Sequence, residues 1–277
     1  MNNLFNYIAR LLFPLRRMIA AYLYPQPQTE MNLHLQLDPF TFAKGNYAPI
    51  TFREAEALRF VREQTTLPVP RVYDVWVDAQ DPELAWMTME NIKGVSLYDS
   101  WPRLTPSQKE RVASQVVDFL RQLRAIPPPV PTKIASCSGG PIYDSGRIAG
   151  GNKLFGPFDS EEDFHLFLHG LATRDLPPQF AAKVPKQANG HDIVFTHADF
   201  GPSQILLDPN DLGRIVAVLD WEFASWYPAY WEYTKAISGF DSRLDKGTWR
   251  EIVGKATGFF DVEAEIDMKL VAFQGIM

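Results

Sequence analysis

The chain has only one cysteine and no long hydrophobic run. Cys137 is the only cysteine among 277 residues, so no intramolecular disulfide can form and a reducing compartment is favoured. No stretch approaches the roughly 20 consecutive apolar residues of a membrane-spanning helix. No apolar stretch is followed by a small-residue cleavage site either, which argues against a secretory signal. We therefore expect a cytoplasmic protein.

The chain also has no excess of basic residues. It contains 27 lysines and arginines against 33 acidic residues, and its formal net charge is −6. General nucleic-acid binders normally present a basic surface, so this charge balance argues against that function class. With 46% hydrophobic and 22% charged residues, the composition is typical of a folded chain that is long enough for two lobes.

Residues 1–28 are predicted to form an N-terminal amphipathic helix and a linker. Apolar residues recur at helical spacing between Leu4 and Tyr22, and Pro14 predicts a break or kink. The segment PQPQ at 25–28 predicts a linker. The helix could pack on the folded domain, or it could contact a membrane surface.

The predicted secondary structure of the remaining chain changes near residue 93, from mainly strands to mainly helices. Before it, alternating or β-branched segments predict strands at 33–37, 40–44, 72–77 and 86–90, with a helix at 53–64 and with Gly45 and Asn46 ending the second strand. After it, helices are predicted at 105–126 and 160–171, with short strands at 193–197, 205–207 and 215–219. The pattern predicts an α+β fold in which a small β-rich lobe precedes a larger α-rich lobe.

The densest group of polar residues lies between Thr196 and Tyr233, in THADFGPSQILLDPNDLGRIVAVLDWEFASWYPAYWEY. His197 and Asp199 follow one apolar strand, and Asp220 and Glu222 follow another. Carboxylates at the ends of buried strands are costly unless they are paired, for example with a divalent metal. Phosphoryl transfer requires one carboxylate that orients the acceptor hydroxyl and another that holds Mg²⁺.

This segment resembles the signature of the aminoglycoside phosphotransferase family and its kinase-like relatives, including choline and homoserine kinases. In that signature H-G-D-x-x-x-x-N is followed by an apolar hairpin that ends in D-x-D/E. Four further segments resemble the fungal branch of the family in the same order: EAEALRFVREQTTLPVPRVY, the 89–94 segment, FGPF at 155–158 and DWEFASWYPAYWEY. The resemblance covers roughly residues 40 to 275 of the chain.

The resemblance implies a two-lobed protein-kinase-like fold with a small nucleotide-binding lobe at 29–92 and a large catalytic and substrate lobe at 93–277. It implies that ATP, with Mg²⁺, donates its γ-phosphoryl group to a hydroxyl of an unidentified small molecule. The alternative is a catalytically impaired protein of the same fold that acts by binding a ligand or partner.

The resemblance also assigns roles to matched positions. Asp199 would be the catalytic base, His197 would brace the catalytic loop, and Asp220 would be the principal metal ligand with Glu222 in support. The second metal ligand of the family, an asparagine, is Gln204 here, whose amide oxygen lies roughly 1.5 Å further along the side chain. Alanine replaces the usual glycine at Ala198.

Lys44 and Glu54 are the predicted partners on the phosphate side of the nucleotide. At 100° per residue, Glu54 shares a helix face with Leu58 and Val61, whereas Glu56 points nearly opposite. A carboxylate on an apolar face needs a partner, and Lys44 at the end of the preceding strand can supply one. In kinases such a lysine binds the α- and β-phosphates.

The assignment of the hinge between the lobes depends on position alone. Met89, Glu90 and Asn91 would form the hinge between the lobes, where backbone groups bind the adenine ring.

No glycine precedes Gly45, so a glycine-rich loop over the phosphates is not expected. An aromatic group follows the metal aspartate and would either pack in the core or form a wall for an organic or cationic acceptor; its members are Trp226, Tyr227, Tyr230, Trp231 and Tyr233.

Overall fold

The computed structural model describes residues 2–24, 33–147, 153–238 and 246–274. The small lobe contains four antiparallel strands in the order β1-β2-β4-β3. Its elements are α1 (Asn2–Leu11), α2 (Phe13–Leu23), β1 (His34–Asp38), β2 (Thr41–Tyr47), α3 (Ala48–Gln64), β3 (Val72–Val77) and β4 (Leu84–Glu90).

The large lobe follows after residues 91–94 and is mainly helical. Its short strands form two sheets, β5-β7-β8 and β6-β9. Its strands are β5 (Val95–Ser96), β6 (Ile193–Thr196), β7 (Ile205–Asp208), β8 (Asp211–Val218) and β9 (Ser225–Pro228). Its helices are α4 (Leu97–Ser100), α5 (Pro106–Ala125), α6 (Glu161–Thr173), α7 (Pro178–Ala181), α8 (Trp231–Ser238), α9 (Lys246–Thr257) and α10 (Asp261–Phe273). The predicted α+β fold with a β-rich small lobe and an α-rich large lobe is confirmed.

The sheet of the small lobe has two covered faces because successive side chains of a strand point to opposite sides. On β4, Met87 joins the core that contains α3 and continues into the large lobe. Its neighbour Trp86 points the other way and packs with Phe13 of α2 and Ala43 of β2. The helices α1 and α2 therefore lie on the outside of the sheet, and α3 lies on the side of the cleft between the lobes.

The ends of β2 and the start of α3 differ from the predictions. Gly45 does not end the strand, because it pairs with Trp86 and β2 continues to Tyr47. A β-carbon at this position would lie 2.9 Å from the Trp86 ring, so only glycine allows the close approach. The helix begins at Ala48 rather than at residue 53, with Pro49 in its first turn, where proline is favoured.

The N-terminal break is confirmed. α1 ends at Leu11, and Pro14 stands in the first turn of α2. None of the helices among the described residues is long and apolar enough to span a bilayer. The predicted linker at 25–28 lies outside the described residues.

The large lobe is built around α5, whose start is well specified by the sequence. Thr105 caps the helix in a reciprocal capping box with Gln108, and Pro106 occupies the first turn. The aromatic group after Asp220 is part of the core, because each of its five members is at most 2% exposed. The alternative interpretation, an aromatic wall for the acceptor, is therefore wrong.

Candidate active site

The loop at 197–204, for which a catalytic role is predicted, begins where β6 ends, and a buried carboxylate holds it. Glu232 of α8 is 1% exposed and accepts hydrogen bonds from the backbone N–H groups of His197, at 2.6 Å, and Ala198, at 3.2 Å. Ala198 has a φ of +63°, in the left-handed region that favours glycine. Glu232 thus fixes a loop whose backbone is strained at Ala198.

His197 joins this loop to the strand end that carries Asp220. Its side chain is fully buried, Nε2 donates to the carbonyl oxygen of Leu219 at 2.8 Å, and Nδ1 accepts from the N–H of Asp199 at 3.2 Å. These partners assign the proton to Nε2. Burial lowers the pKa of His197 to about 4, so the ring is neutral at neutral pH.

Asp199 is a partly buried carboxylate beside the cleft. Burial raises its pKa to about 6; the positive charge of Lys235 opposes this shift, and the negative charges of Asp144 and Asp220 add to it. Lys235 is itself held by Asp144, 2.9 Å away. A pKa near 6 leaves Asp199 ionised at neutral pH, yet basic enough to accept a proton.

Gln204 contacts Asp199 through its amide nitrogen. Nε2 donates to Oδ2 of Asp199 at 3.2 Å, while the amide oxygen accepts from the hydroxyl of Ser203. The backbone carbonyl of Gln204 accepts from Leu219 N–H at 2.8 Å, which places β7 beside the Asp220 strand end. The oxygen that a metal would require therefore points towards Ser203.

Lys44 is buried at the centre of a cluster of three carboxylates. Its Nζ lies 2.9 Å from Glu54, 2.8 Å from Asp220 and 3.4 Å from Glu222. Burial lowers the pKa of Lys44, but the three carboxylates outweigh it and raise the pKa above the ordinary value. Burial raises the pKa of Glu54 to about 7, although Lys44 opposes the shift. The predicted contact between Lys44 and Glu54 is confirmed.

A cavity of about 300 Å³ opens beside this cluster, between the two lobes. Apolar side chains from both lobes line it together with Lys44, Glu54 and Asp220; the apolar set includes Phe42, Leu58, Pro70, Met89, Ile92, Leu206 and Leu219. Its shape and lining are typical of a small-molecule site, with apolar walls and few polar groups.

Residues 40–267 match the sequence profile of the Phosphotransferase enzyme family. The chain belongs to this family. A curated relative, an aminoglycoside 3'-phosphotransferase of Streptomyces fradiae, is 24% identical over 196 residues, which are 71% of this chain and 65% of the relative. The match therefore spans slightly less than two thirds of that relative's length.

Two solved structures have the same fold as this phosphotransferase-family chain. The GDP and kanamycin complex of APH(2")-IIia aligns with a TM-score of 0.60 and 13% identity, over 96% of this chain and 90% of the other. The streptomycin-ATP-APH(2")-IIa ternary complex aligns with a TM-score of 0.56 and 15% identity, over 86% and 77%. The two-lobed architecture is thus the kinase-like one of aminoglycoside phosphotransferases.

In this phosphotransferase-family chain, all three predicted hinge residues line the cavity: Met89, Glu90 and Asn91. Two of their backbone donors are already engaged, since Glu90 N–H donates to Arg71 and Asn91 N–H donates to Phe40, each at 2.9 Å. A base in the cavity would have to use other backbone groups of the hinge.

The turn between β1 and β2 lies at this hinge and not over Lys44. It consists of Pro39 and Phe40, and the Asn91 N–H binds the Phe40 carbonyl. At the opposite end of the strand, His34 pairs with Lys44 and lines the cavity. Burial and the charge of Lys44 lower the pKa of His34. Among the described residues, His34 thus stands beside Lys44, at the end of the cavity away from the predicted hinge.

The donor set at Asp220 is compatible with a divalent cation. Three carboxylates, Glu54, Asp220 and Glu222, surround the single positive charge of Lys44, so the cluster has a negative excess. The charge of Lys44 outweighs burial and lowers the pKa of Asp220, whose side chain is 50% exposed. The described residues contain no group of three or more His, Cys, Asp or Glu that could hold a metal alone. Mg²⁺ in kinases needs only one or two carboxylates together with phosphate oxygens, so Asp220 and Glu222 fit.

Several residues of the site were not predicted from the sequence. His34 and Phe42 line the cavity, Glu232 holds the loop at 197–204, and the charges of Lys235 and Asp144 act on Asp199. A signal for Glu232 was present, since a carboxylate inside the aromatic run WYPAYWEY must have buried partners. Asp144 lies in a loop without periodicity, and no pattern pointed to it.

Proposed function

We propose that this protein transfers the γ-phosphoryl group of ATP to a hydroxyl of a small molecule, with Mg²⁺. One observation carries the proposal: Nζ of Lys44 lies between Glu54 and Asp220, 2.9 Å and 2.8 Å away, at the edge of the interlobe cavity. That arrangement supplies a buried, fixed cation for phosphate groups beside a carboxylate that suits a metal. Residues 29–92 would be the nucleotide-binding lobe and residues 93–277 the catalytic and substrate lobe, in the cytoplasm.

The nucleotide would be held by the cavity and by Lys44. The apolar side chains of the cavity would contact the faces of the base, and the hinge at Met89, Glu90 and Asn91 would border its edge. Glu54 keeps the Lys44 ammonium in place, so this cation is ready for the α- and β-phosphates before the nucleotide arrives. Such preorganisation lowers the cost of binding charge.

Metal binding would use the carboxylates that face the phosphate end of the cavity. Asp220 and Glu222 would hold Mg²⁺, which when bound neutralises negative charge on the phosphates. Gln204 could contribute its amide oxygen only if its side-chain amide rotated and gave up the contacts with Ser203 and Asp199.

Asp199 would accept the proton of the acceptor hydroxyl. Its raised pKa of about 6 lies close enough to neutrality for a general base. The neutral His197 would not compete for that proton, because both of its ring nitrogens are engaged, and it would keep the loop in register with Leu219. Gln204 would hold the Asp199 carboxylate through its amide N–H.

The acceptor would be a hydroxyl-bearing small molecule. The structures of similar fold include complexes with kanamycin and streptomycin. Aminoglycosides are thus the first acceptors to test, although a shared fold alone does not set the substrate.

A binding role without catalysis is the second candidate. It is favoured by the orientation of Gln204, whose amide oxygen faces Ser203, and by the β1–β2 turn at the hinge. Such a protein would bind nucleotide or another ligand in the cavity and leave the phosphoryl group in place.

Nucleotide binding tests the proposal. We expect Mg·ATP to raise the apparent melting temperature of the wild-type protein by several degrees, since a ligand that binds only the folded state stabilises it. Asp220→Asn should lose the dependence of this shift on Mg²⁺, and the exposed control Asp175→Asn should keep it. If neither Mg·ATP nor Mg·GTP shifts the wild-type transition, the proposal is wrong.

A further inference from the structure

A second cavity, of about 650 Å³, lies against the face of α3 that points away from Glu54. At 100° per residue, Phe52 and Glu56, which line this cavity, point nearly opposite to Glu54. The large lobe supplies the other wall, which includes Ser138 and Leu154. Among the described residues, the second cavity shares no lining side chain with the interlobe cavity. Its volume is within the range that holds small organic molecules.

Arg53 lines the second cavity, and two nitrogens of its guanidinium lack a hydrogen-bond partner. In the part of the chain that the structure describes, Nε and Nη1 are buried and neither donates a hydrogen bond. Arg124, which is also half-buried, instead donates to the carbonyl oxygens of Ala229 and Thr257. Burial lowers the pKa of Arg53, and the charge of Glu56 opposes this shift. Because arginine stays charged in proteins, its buried N–H groups are costly without an acceptor.

The 136–140 turn of the large lobe fixes the position of this guanidinium. A β-carbon at Gly140 would lie 3.1 Å from Nη2 of Arg53, so the guanidinium packs directly on the turn. Two backbone hydrogen bonds close the turn: Ser136 N–H donates to the Gly140 carbonyl at 3.0 Å, and Gly139 N–H donates to the Ser136 carbonyl at 2.9 Å. The positive charge is therefore in place before a ligand arrives, which reduces the entropy lost on binding.

The charges around the second cavity favour a ligand with a single negative charge. Arg53 and Arg59 line it together with Glu56 and Glu63, so the charges of the wall balance. The two glutamates would repel a dianion such as a phosphate monoester, whereas one carboxylate matches the planar donor fork of one arginine. Burial raises the pKa of Cys137, which also lines the cavity, to about 12, so its thiol is neutral and adds no negative charge.

Apolar side chains line much of the remaining wall. Pro49, Phe52 and Phe60 belong to α3, and Leu154 belongs to the large lobe. Phe52 is 41% exposed, so a ligand that covers its ring removes apolar surface from water. Phe60 packs edge-on against Trp226 at 6.1 Å, which holds its ring in place. The lining therefore suits an apolar or aromatic body attached to the charged group.

We propose that the second cavity binds a small organic carboxylate with an apolar or aromatic body, and that the carboxylate pairs with Arg53. The bound acid bridges α3 and the 136–140 turn, and so connects the small lobe to the large lobe outside the interlobe cavity. It contacts the same turn of α3 that carries Glu54, the partner of Lys44. Binding of the acid requires no nucleotide, so its test is independent of the proposed phosphoryl transfer.

Calorimetric titration of the full chain without nucleotide tests this proposal. The probes are benzoate, phenylacetate and 3-phenylpropionate, each compared with its neutral amide. We expect at least one acid to bind about 10–100-fold more tightly than its amide, because the amide cannot form the charged hydrogen bonds. Arg53→Met keeps the apolar stem of the side chain and should weaken binding of that acid by the same factor. Arg53→Lys keeps the charge without the planar fork and should give an intermediate affinity.

Arg174→Met is the matched control, because Arg174 is 68% exposed and does not line the second cavity. This variant should bind the acid as the wild type does. The proposal fails if none of the acids binds more tightly than its amide, or if Arg53→Met binds the acid as tightly as the wild type. In the second case the acid occupies another site, such as the interlobe cavity beside Lys44.

Thermal unfolding of Arg53→Met gives a second check. Since two of the guanidinium nitrogens are buried without a partner, the substitution should leave the melting temperature at or above that of the wild type. A melting temperature several degrees below the wild type would show that the guanidinium has a structural partner, and the proposal would then be wrong.

Discussion

His197 Nε2 donates a hydrogen bond to the Leu219 carbonyl oxygen at 2.8 Å and so joins the loop at 197–204 to the strand end that carries Asp220. Asp199 lies two residues after His197, and Asp220 directly follows Leu219. The buried contact therefore sets the relative position of the two aspartates that phosphoryl transfer would use. Because burial keeps the ring neutral, the contact persists at pH values well below neutrality.

Glu232 holds the loop that makes this contact, so the removal of its carboxylate should destabilise the folded protein. Glu232→Ala leaves the N–H groups of His197 and Ala198 buried without an acceptor, and we expect the free energy of unfolding to fall by about 2–5 kcal/mol. Glu232→Gln keeps one acceptor oxygen and should lose less. Urea unfolding monitored by tryptophan fluorescence measures both. An alanine variant as stable as the wild type would show that Glu232 does not hold the loop.

Ala198 stores backbone strain that glycine would relieve. An alanine at a φ of +63° destabilises the folded state by roughly 1–2 kcal/mol relative to glycine. Glycine also stabilises the unfolded chain, because it increases the conformational entropy of that chain, but this free energy is somewhat smaller. We expect Ala198→Gly to raise the free energy of unfolding by roughly 0.5–1 kcal/mol. Ala217→Gly, a fully buried control within β8, should lower it instead. Equal losses in both variants would contradict the strained conformation.

The pH dependence of activity should report Asp199. Its pKa is raised to about 6, and the base must be ionised, so kcat/KM should fall about tenfold per pH unit below 6. Gln204→Met removes the N–H donor that favours the ionised carboxylate, and its acid limb should move to higher pH. A wild-type limb below pH 4.5, or an unchanged limb in the variant, would rule out this assignment.

Gln204→Asn tests whether the longer amide limits metal binding. The asparagine side chain is one methylene shorter, so its amide oxygen cannot accept from the Ser203 hydroxyl as that of Gln204 does. This oxygen is then free to face the proposed metal. We expect a lower Mg²⁺ concentration for half-maximal stabilisation by ATP. An unchanged Mg²⁺ requirement would favour the binding role without catalysis over an impaired kinase.

Periodicity and local chemistry predicted those features that depend on neighbouring residues. The α5 start follows from Thr105 and Pro106, and the contact between Lys44 and Glu54 follows from the helix face that Glu54 shares with Leu58. β9 was missed because every residue of SWYP is buried, and a strand covered on both faces shows no alternation.

Long-range contacts account for the rest of what the sequence did not predict. The orientation of Gln204 depends on Ser203 and Asp199 together, and Asp144 approaches Asp199 only through the tertiary fold. The approach of Trp86 to Gly45 likewise appears only when β2 and β4 pair. Such contacts leave no periodic trace in the chain.

Phosphoryl transfer from radiolabelled ATP to a panel of aminoglycosides and other amino alcohols tests the central claim most directly. We expect the wild-type protein to label at least one acceptor with Mg²⁺ present. Asp199→Asn should slow transfer by about 10²–10⁴-fold and still bind Mg·ATP, and Asp175→Asn should match the wild type. The account is contradicted if Asp199→Asn transfers as fast as the wild type, or if the wild type binds Mg·ATP but labels no acceptor.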